Sequence, residues 1–294
     1  MDARMPRPAD DRSIRAAREA IAARLTSAGV PDAEVDAELL MGHVLGLSRG
    51  GVQAWLILGG DLGESDAAEL EALVERRAAR EPLQHITGRA PFRSLDLLVG
   101  PGVLVPRPET ETVAQLAIDA LRAVPAASPV AVDLGTGSGA LALALATEVS
   151  HARVHAVELS PEAAVWARRN IDEVGVEVDL VVGDLADALP ELDGTVSVVV
   201  SNPPYVPAAE LPRDVEVLVH DPDVALYGGA DGLDVIRALS VRASALLHPG
   251  GTLVFEHFET QSAAIADLLR ADGWRAISHH RDLTGRDRAT TATR

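Results

Sequence analysis

The sequence predicts an α/β fold: a doubly wound, largely parallel sheet preceded by a small helical bundle, with a short β-hairpin connecting the two. Three observations predict it. Residues 12–81 carry apolar side chains at helical spacing and no strand pattern. Residues 107–294 alternate short β-branched runs with amphipathic stretches long enough for helices, the signature of successive β-α units. Between them, residues 82–106 show short extended pieces broken by Gly88, Pro91, Gly100 and Pro101, which suits a hairpin connector.

Taken in order, residues 1–11 are polar and proline-containing, and a disordered lead-in is expected there. Ile14, Ala17, Ile21 and Leu25 recur on one helical face, and Gly29 with Pro31 supplies a stop. Asp32 is expected to cap a second helix that buries Val35, Leu39, Leu40 and Val44. Asp66 and Glu69 form a capping-box pattern ahead of Leu70, Leu73 and Val74, in a helix closed by Pro82. The run Phe92 to Val99 reads as extended. After Pro106-Arg107-Pro108 a helix is expected from Glu109. Strands are then expected at Val130–Leu134, Arg153–Glu158, Val178–Val182, Val196–Ser201, Thr252–Glu256, Trp274–Ser278 and Ala289–Thr293.

Composition bounds the function. A length of 294 residues suits about two domains, and 47% apolar residues can fill a sizeable core. The net charge of -18, with arginine as the only strong cation, argues against a nucleic-acid partner, because duplex binding needs clustered cations to displace phosphate counterions. Arg12, Arg15 and Arg18 come nearest to a basic patch and read as a solvated helix face. Cysteine is absent, so disulfides, thiolate metal sites and cysteine nucleophiles are excluded. No apolar run approaches the roughly 20 residues that span a bilayer, and the N-terminus lacks the apolar core of a signal peptide. A cytoplasmic protein with no membrane partner is expected, and a monomer.

Open α/β sheets bind ligands outside the carboxyl ends of their strands. The first expected strand there runs into Asp133-Leu134-Gly135-Thr136-Gly137-Ser138-Gly139 and then an apolar helix. Such glycines let the backbone turn sharply and approach a ligand, while the helix N-terminus offers free N–H groups. A dinucleotide, a nucleotide-like cofactor and a plain tight turn all fit that loop. Glu158 ends the second strand about 20 positions later, near the spacing at which a carboxylate takes ribose hydroxyls, although it could instead cap the helix starting at Ser160-Pro161. Asp184 and Leu185 follow the third strand, where they could meet an adenine edge and face. The fourth strand ends in Asn202-Pro203-Pro204-Tyr205. Asn-Pro is an ordinary turn signal, but at this strand end two prolines without N–H groups leave the Asn202 side-chain oxygen and the Pro203 carbonyl as rigid acceptors beside an aromatic ring. A planar NH₂ group presents two donors that such a pair can grip.

These segments together resemble the bacterial release-factor glutamine methyltransferase family. The resemblance covers most of residues 82–294: PLQHITG at 82–88, FRSLDLLVGPGVLVPRPETE at 92–111, DLGTGSG at 133–139, SNPPY at 201–205, DPDVALYGGADGLDVIR at 221–237 and RDLTGRDR at 281–288. It implies a class I methyltransferase sheet of seven strands, the last antiparallel, behind a helical substrate-recognition domain. It further implies S-adenosyl-L-methionine as cofactor, S-adenosyl-L-homocysteine as product, and peptide chain release factors as protein substrates, methylated on the glutamine of a Gly-Gly-Gln loop. By motif, Gly135, Thr136, Gly137, Ser138 and Gly139 would cradle the methionine moiety, Glu158 the ribose, and Asp184 with Leu185 the adenine. Asn202, Pro203, Pro204 and Tyr205 would hold and activate the glutamine, with Asn202 also among the cofactor-binding residues. Phe92 and the stretch Arg107 to Thr110 resemble positions near the cofactor mouth. Phe258, after Glu256-His257, departs from an expected glycine. The histidines form no recognisable zinc motif, and no metal is expected. Two competing readings are an amino-group methyltransferase for adenine or cytosine, which the charge opposes, and an inactive cofactor-binding partner of the translation apparatus, which the intact motifs oppose.

Overall fold

In a computed structural model, residues 13–211 and 214–294 are described. The expected lead-in over 1–11 lies outside them, as does Arg12. The chain divides into two compact units, Met1–Gly88 and Arg89–Arg294.

The first unit is helical: α1 (Ile14–Ser27), α2 (Ala33–Leu45), α3 (Arg49–Leu58), α4 (Glu64–Ala78) and the short α5 (Leu83–Thr87). Ser13 caps α1 by accepting the Ala16 N–H, and Gly29 turns the chain out of it with φ +72°. Ile14, Leu25, Leu40, Met41, Val52, Leu70 and Val74 form its core. Three expectations need correcting. Asp32 occupies the N-cap of α2 in the left-handed region and its side chain makes no capping bond. Helix α4 starts two residues before Asp66, with Gly63 at its N-cap, so Asp66 lies in the first turn. Arg18 is no solvated cation: it pairs with Glu34 at 2.9 Å and with the buried Glu38 at 3.1 Å, while Arg15 donates to the Leu56 carbonyl. Burial alone would raise the Glu38 pKa, but hydrogen bonds from Arg49, Gln53 and Arg18 outweigh it and hold the carboxyl below its ordinary value.

The second unit opens with the antiparallel hairpin β1 (Arg89–Phe92) and β2 (Leu95–Leu98), then α6 (Thr110–Arg122). Strands and helices follow alternately: β3 (Val130–Leu134), α7 (Ala140–Glu148), β4 (Arg153–Glu158), α8 (Pro161–Val174), β5 (Val178–Val182) and β6 (Val196–Ser201). Two short helices, α9 (Val215–His220) and α10 (Asp223–Leu226), precede α11 (Asp234–Leu246), β7 (Leu247–Glu256), α12 (Ser262–Ala271), β8 (Arg275–Arg281) and β9 (Asp287–Thr293). The sheet order is β5-β4-β3-β6-β7-β9-β8, parallel except where β9 pairs with β7 and β8.

Strands buried on both faces read as near-continuous apolar runs, and β3 and β6 are buried at every position. Alternate residues serve opposite layers. Ala131, Val198, Val200 and Val254 pack with α6, α7 and the hairpin residues Phe92 and Leu97. Val132, Leu134, Val199 and Phe255 pack with α11 and α12. Strand order reverses between β3 and β6, so a crevice opens beyond their carboxyl ends.

Candidate active site

Two cavities lie at those strand ends. One, of about 410 Å³, is lined by Gly135, Gly137, Glu158, Asp184, Leu185 and Pro204 among others; the second, of about 350 Å³, by Arg107, Glu109, Tyr205, Asp221, Phe258 and Arg288 among others. Asn202 lines both. Each volume is in the range of small-molecule sites.

The glycine loop is built by its neighbours. Gly135 and Gly137 have φ of +80° and +57°, and a Cβ on either would meet nothing within 4 Å, so their missing side chains leave open space on a cavity wall. The N–H groups of Gly135 and Thr136 both donate to the Val157 carbonyl at 2.9 Å, latching the loop to β4. Asn170 of α8, 1% exposed, donates to the carbonyls of Ser138 and Leu98 and accepts the Leu98 N–H, tying the loop to the hairpin. Thr136 and Ser138 face inward, and Gly139 is the N-cap of α7. Thr136 donates its hydroxyl at 2.5 Å to the fully buried Asp133, which also accepts the Ala142 N–H. Burial pushes the Asp133 carboxyl up to about 7, and its Oδ1 has no partner.

Glu158 is 8% exposed and already engaged: Oε2 accepts the Gly137 N–H at 2.7 Å and Oε1 the Ser160 N–H at 2.8 Å. Ser160 itself caps α8. Each carboxylate oxygen keeps a further lone pair, so supporting the loop and receiving hydroxyls are compatible. Asp184 accepts the Ala186 N–H, and Leu185 lines the cavity beside it.

The turn after β6 is propped from behind. Tyr205 and Asn202 reach one buried carboxyl by separate routes: the Tyr205 hydroxyl donates to Glu256 Oε1 at 2.8 Å, Thr110 donates to Glu256 Oε2 at 2.6 Å, and Asn202 Nδ2 donates to Thr110 at 3.2 Å. Burial drives the Glu256 carboxyl up to about 7 and, with the adjacent Glu256 charge, holds the Tyr205 phenol well above its ordinary value. Pro203 is buried. Glycines of the later segment make room for the turn. A Cβ on Gly228 would stand 2.6 Å from the Pro204 carbonyl oxygen, and one on Gly232 would stand 2.2 Å from that of Tyr205. Gln261 donates to the Tyr205 carbonyl at 3.0 Å and accepts the Phe258 N–H.

Phe258, the departure from an expected glycine, is not among the residues with positive φ. Its ring lies 6.5 Å from that of Tyr205 on the same cavity wall. Phe92 is 1% exposed in the core and lines neither cavity. Arg107 donates to Asp221 at 2.8 Å. His257 is buried beside the His279 ring, and burial lowers its pKa. Among the described residues no cluster of three or more His, Asp or Glu is placed to hold a metal ion, and no helix is long and apolar enough to cross a membrane. Asp133 and Glu256 lie within segments quoted from the sequence, at or next to strand ends, but received no role there, and Asn170 was not singled out at all.

A seven-stranded sheet of this order, with a glycine loop after its first strand and Asn-Pro-Pro-Tyr after its fourth, defines a class I S-adenosylmethionine-dependent methyltransferase. Residues 16–88 match the PrmC N-terminal domain and residues 131–217 a methyltransferase domain. A release factor glutamine methyltransferase of Streptomyces coelicolor is 51% identical over 275 residues, covering 92% of this chain and 94% of that protein. One of Bifidobacterium longum is 46% identical, covering 90% and 94%. A 4-amino-L-phenylalanine/4-methylamino-L-phenylalanine methyltransferase of Streptomyces pristinaespiralis is 41% identical, covering 85% of each. The chain belongs to the release factor glutamine methyltransferase family.

Proposed function

We propose that this protein transfers a methyl group from S-adenosylmethionine to the side-chain amide nitrogen of the glutamine in the Gly-Gly-Gln loop of peptide chain release factors, in the cytoplasm. The observation that carries the reading is Asn202, which lines both cavities while its NH₂ is bound to Thr110. Its Oδ1 is thereby left as an acceptor where two ligands would meet. The open faces of Gly135 and Gly137 and the second lone pairs of Glu158 fit the cofactor.

When bound, S-adenosylmethionine supplies a methyl group on positively charged sulfur, an electrophile that needs no further activation. The protein's task is therefore the nitrogen. An amide lone pair is delocalised, so holding the group in a reactive pose contributes most, up to roughly 7–11 kcal/mol in favourable cases. In this reading Asn202 Oδ1 and the Pro203 carbonyl accept the two N–H bonds and stabilise the positive charge that grows on them. The Tyr205 ring, fixed by its bond to Glu256, bounds the amide plane. Glu158 and the glycine loop bind the cofactor, Asp184 and Leu185 its base. The helical unit contributes a second contact with the release factor, raising the effective concentration of a short loop that offers little area of its own.

The test is to incubate the protein with S-adenosylmethionine and unmodified release factor and to map added methyl groups by peptide mass spectrometry. The Streptomyces pristinaespiralis relative makes 4-amino-L-phenylalanine a necessary second arm, since its aryl NH₂ suits the same acceptors. Faster methylation of that amine, or of DNA, than of release factor would overturn the reading.

A further inference from the structure

Glu256 ends β7 with no exposed surface, and Thr110, at the first position of α6, is 4% exposed. Neither lines either cavity, yet they join the two polar members of the Asn-Pro-Pro-Tyr turn. We propose that Glu256 is a positioning residue whose carboxylate, acting through Thr110, sets which way round the Asn202 amide faces and holds the Tyr205 hydroxyl. This rests on the proposed role of Asn202 in gripping a substrate NH₂.

The argument is one of hydrogen-bond polarity. An ionised carboxylate only accepts. Thr110 therefore commits its single hydroxyl proton to Glu256 Oε2, at 2.6 Å, and Tyr205 commits its own to Oε1, at 2.8 Å. The Thr110 oxygen is then an acceptor toward Asn202, and of the two ends of that amide only Nδ2 can satisfy it, at 3.2 Å. Oδ1 is turned outward by elimination. An amide in the opposite sense would set its NH₂ against the NH₂ of a substrate, donor against donor. The relay thus converts a buried negative charge into the acceptor polarity of a side chain on the cavity wall.

A proton on Glu256 breaks that logic, because the carboxyl gains a donor and Thr110 is freed to direct its own proton toward Asn202 Oδ1. The charged and titratable groups facing Glu256 are Tyr205 from the turn after β6, Glu109 from the N-cap of α6, and Arg288 from β9. Burial pushes its carboxyl up to about 7, which puts the change within reach of ordinary assay conditions.

The test compares Glu256→Gln, Thr110→Val and Thr110→Ser with the unaltered protein. It measures kcat and KM on unmodified release factor, S-adenosylmethionine affinity by calorimetry, and folding by thermal melting. Glu256→Gln and Thr110→Val are expected to lower kcat by about 10–100-fold, the scale of a misaligned reactant, with cofactor affinity nearly unchanged. Thr110→Ser, which keeps the hydroxyl, should recover most of the rate lost in Thr110→Val. The unaltered protein should gain kcat as pH rises through neutrality, and Glu256→Gln should lose that limb. Wild-type kcat in folded Glu256→Gln or Thr110→Val, or equal loss in Thr110→Ser and Thr110→Val, overturns the proposal. Should Asn202→Ala remain inactive beside such results, the proposed function stands without it; full turnover by Asn202→Ala removes both.

Discussion

Replacing Glu158 by alanine tests the cofactor cavity most directly, and its structural surroundings alter what should be expected. A carboxylate that only received ribose hydroxyls could be removed at no cost to the empty protein. Here its two oxygens accept the N–H groups of Gly137 and Ser160 at 2.7 and 2.8 Å, so the side chain also ties the glycine loop to the end of β4. Bonds to a charged group contribute about 1.5–3 kcal/mol, but at the edge of a cavity water can enter and solvate the freed N–H groups. A loss of about 1–2 kcal/mol of stability is expected, with a lower melting temperature. Affinity for S-adenosylmethionine should fall further, by about 10–100-fold, since direct contacts and loop geometry are lost together. Glu158→Gln keeps one acceptor but sets its NH₂ against one of the two N–H groups, and should fall between. Thermal melting and calorimetric titration of the three proteins decide it. Unchanged affinity in Glu158→Ala would falsify the cofactor role, and unchanged stability would show that the loop holds its shape without the carboxylate.

Four further expectations follow from the same geometry. Asn202→Ala should cut methyl transfer by orders of magnitude while cofactor affinity falls much less, as separate turnover and titration experiments will show. Gly232→Ala forces a Cβ to 2.2 Å from the Tyr205 carbonyl oxygen in a left-handed conformation, so single-turnover rates should drop along with the melting temperature. Asp133, raised by burial from 3.8 to about 7, favours folding while neutral; that stability is complete below about pH 4 and is lost as pH rises through 7. The gap corresponds to on the order of 4 kcal/mol. The melting temperature of the ligand-free protein should therefore decline from about pH 4 to about pH 8 and level off above that, with a shallower decline in Asp133→Asn. Removing the helical unit, once the remainder is shown to fold, should spare cofactor binding and slow methylation of whole release factor more than that of an isolated loop peptide. Equal losses on both substrates would sink the recognition role.

Parallel strands buried on both faces, as β3 and β6 are, leave an unmistakable pattern, and β4 and the largely exposed edge strand β5 also lie where their apolar runs place them. The later strands extend beyond those runs: β7 starts at Leu247 and β8 continues to Arg281, because backbone pairing carries on through polar residues that sequence patterning does not register. Helix α3 was not expected for a different reason, since Gly50 and Gly51 in its first turn lower helix propensity and the apolar Ile57 and Leu58 in its last turn are exposed. Asn202 and Tyr205 were legible as chemistry, but the carboxyl that connects them was not. Thr110 and Glu256 stand 146 positions apart, and only the fold brings their oxygens within 2.6 Å. Asn170 was equally silent, being one polar residue on an otherwise ordinary amphipathic helix.

Two successive prolines give the turn after β6 a property that extends to substrate choice. Neither Pro203 nor Pro204 has an N–H to offer, and the NH₂ of Asn202 is committed to Thr110. The proposed grip would therefore be made of oxygen lone pairs and would distinguish an amide from the acid formed by its hydrolysis. A glutamate at the same place would bring carboxylate oxygens against these acceptors, with a negative charge and no proton to share. Sites that pair buried polar groups with a substrate N–H reject analogues lacking it far more strongly than any hydrophobic pocket rejects a change of size. A release factor whose loop glutamine had deamidated would pass through the pool unmodified, and the methyl mark would report chemical integrity of that side chain as well as its presence.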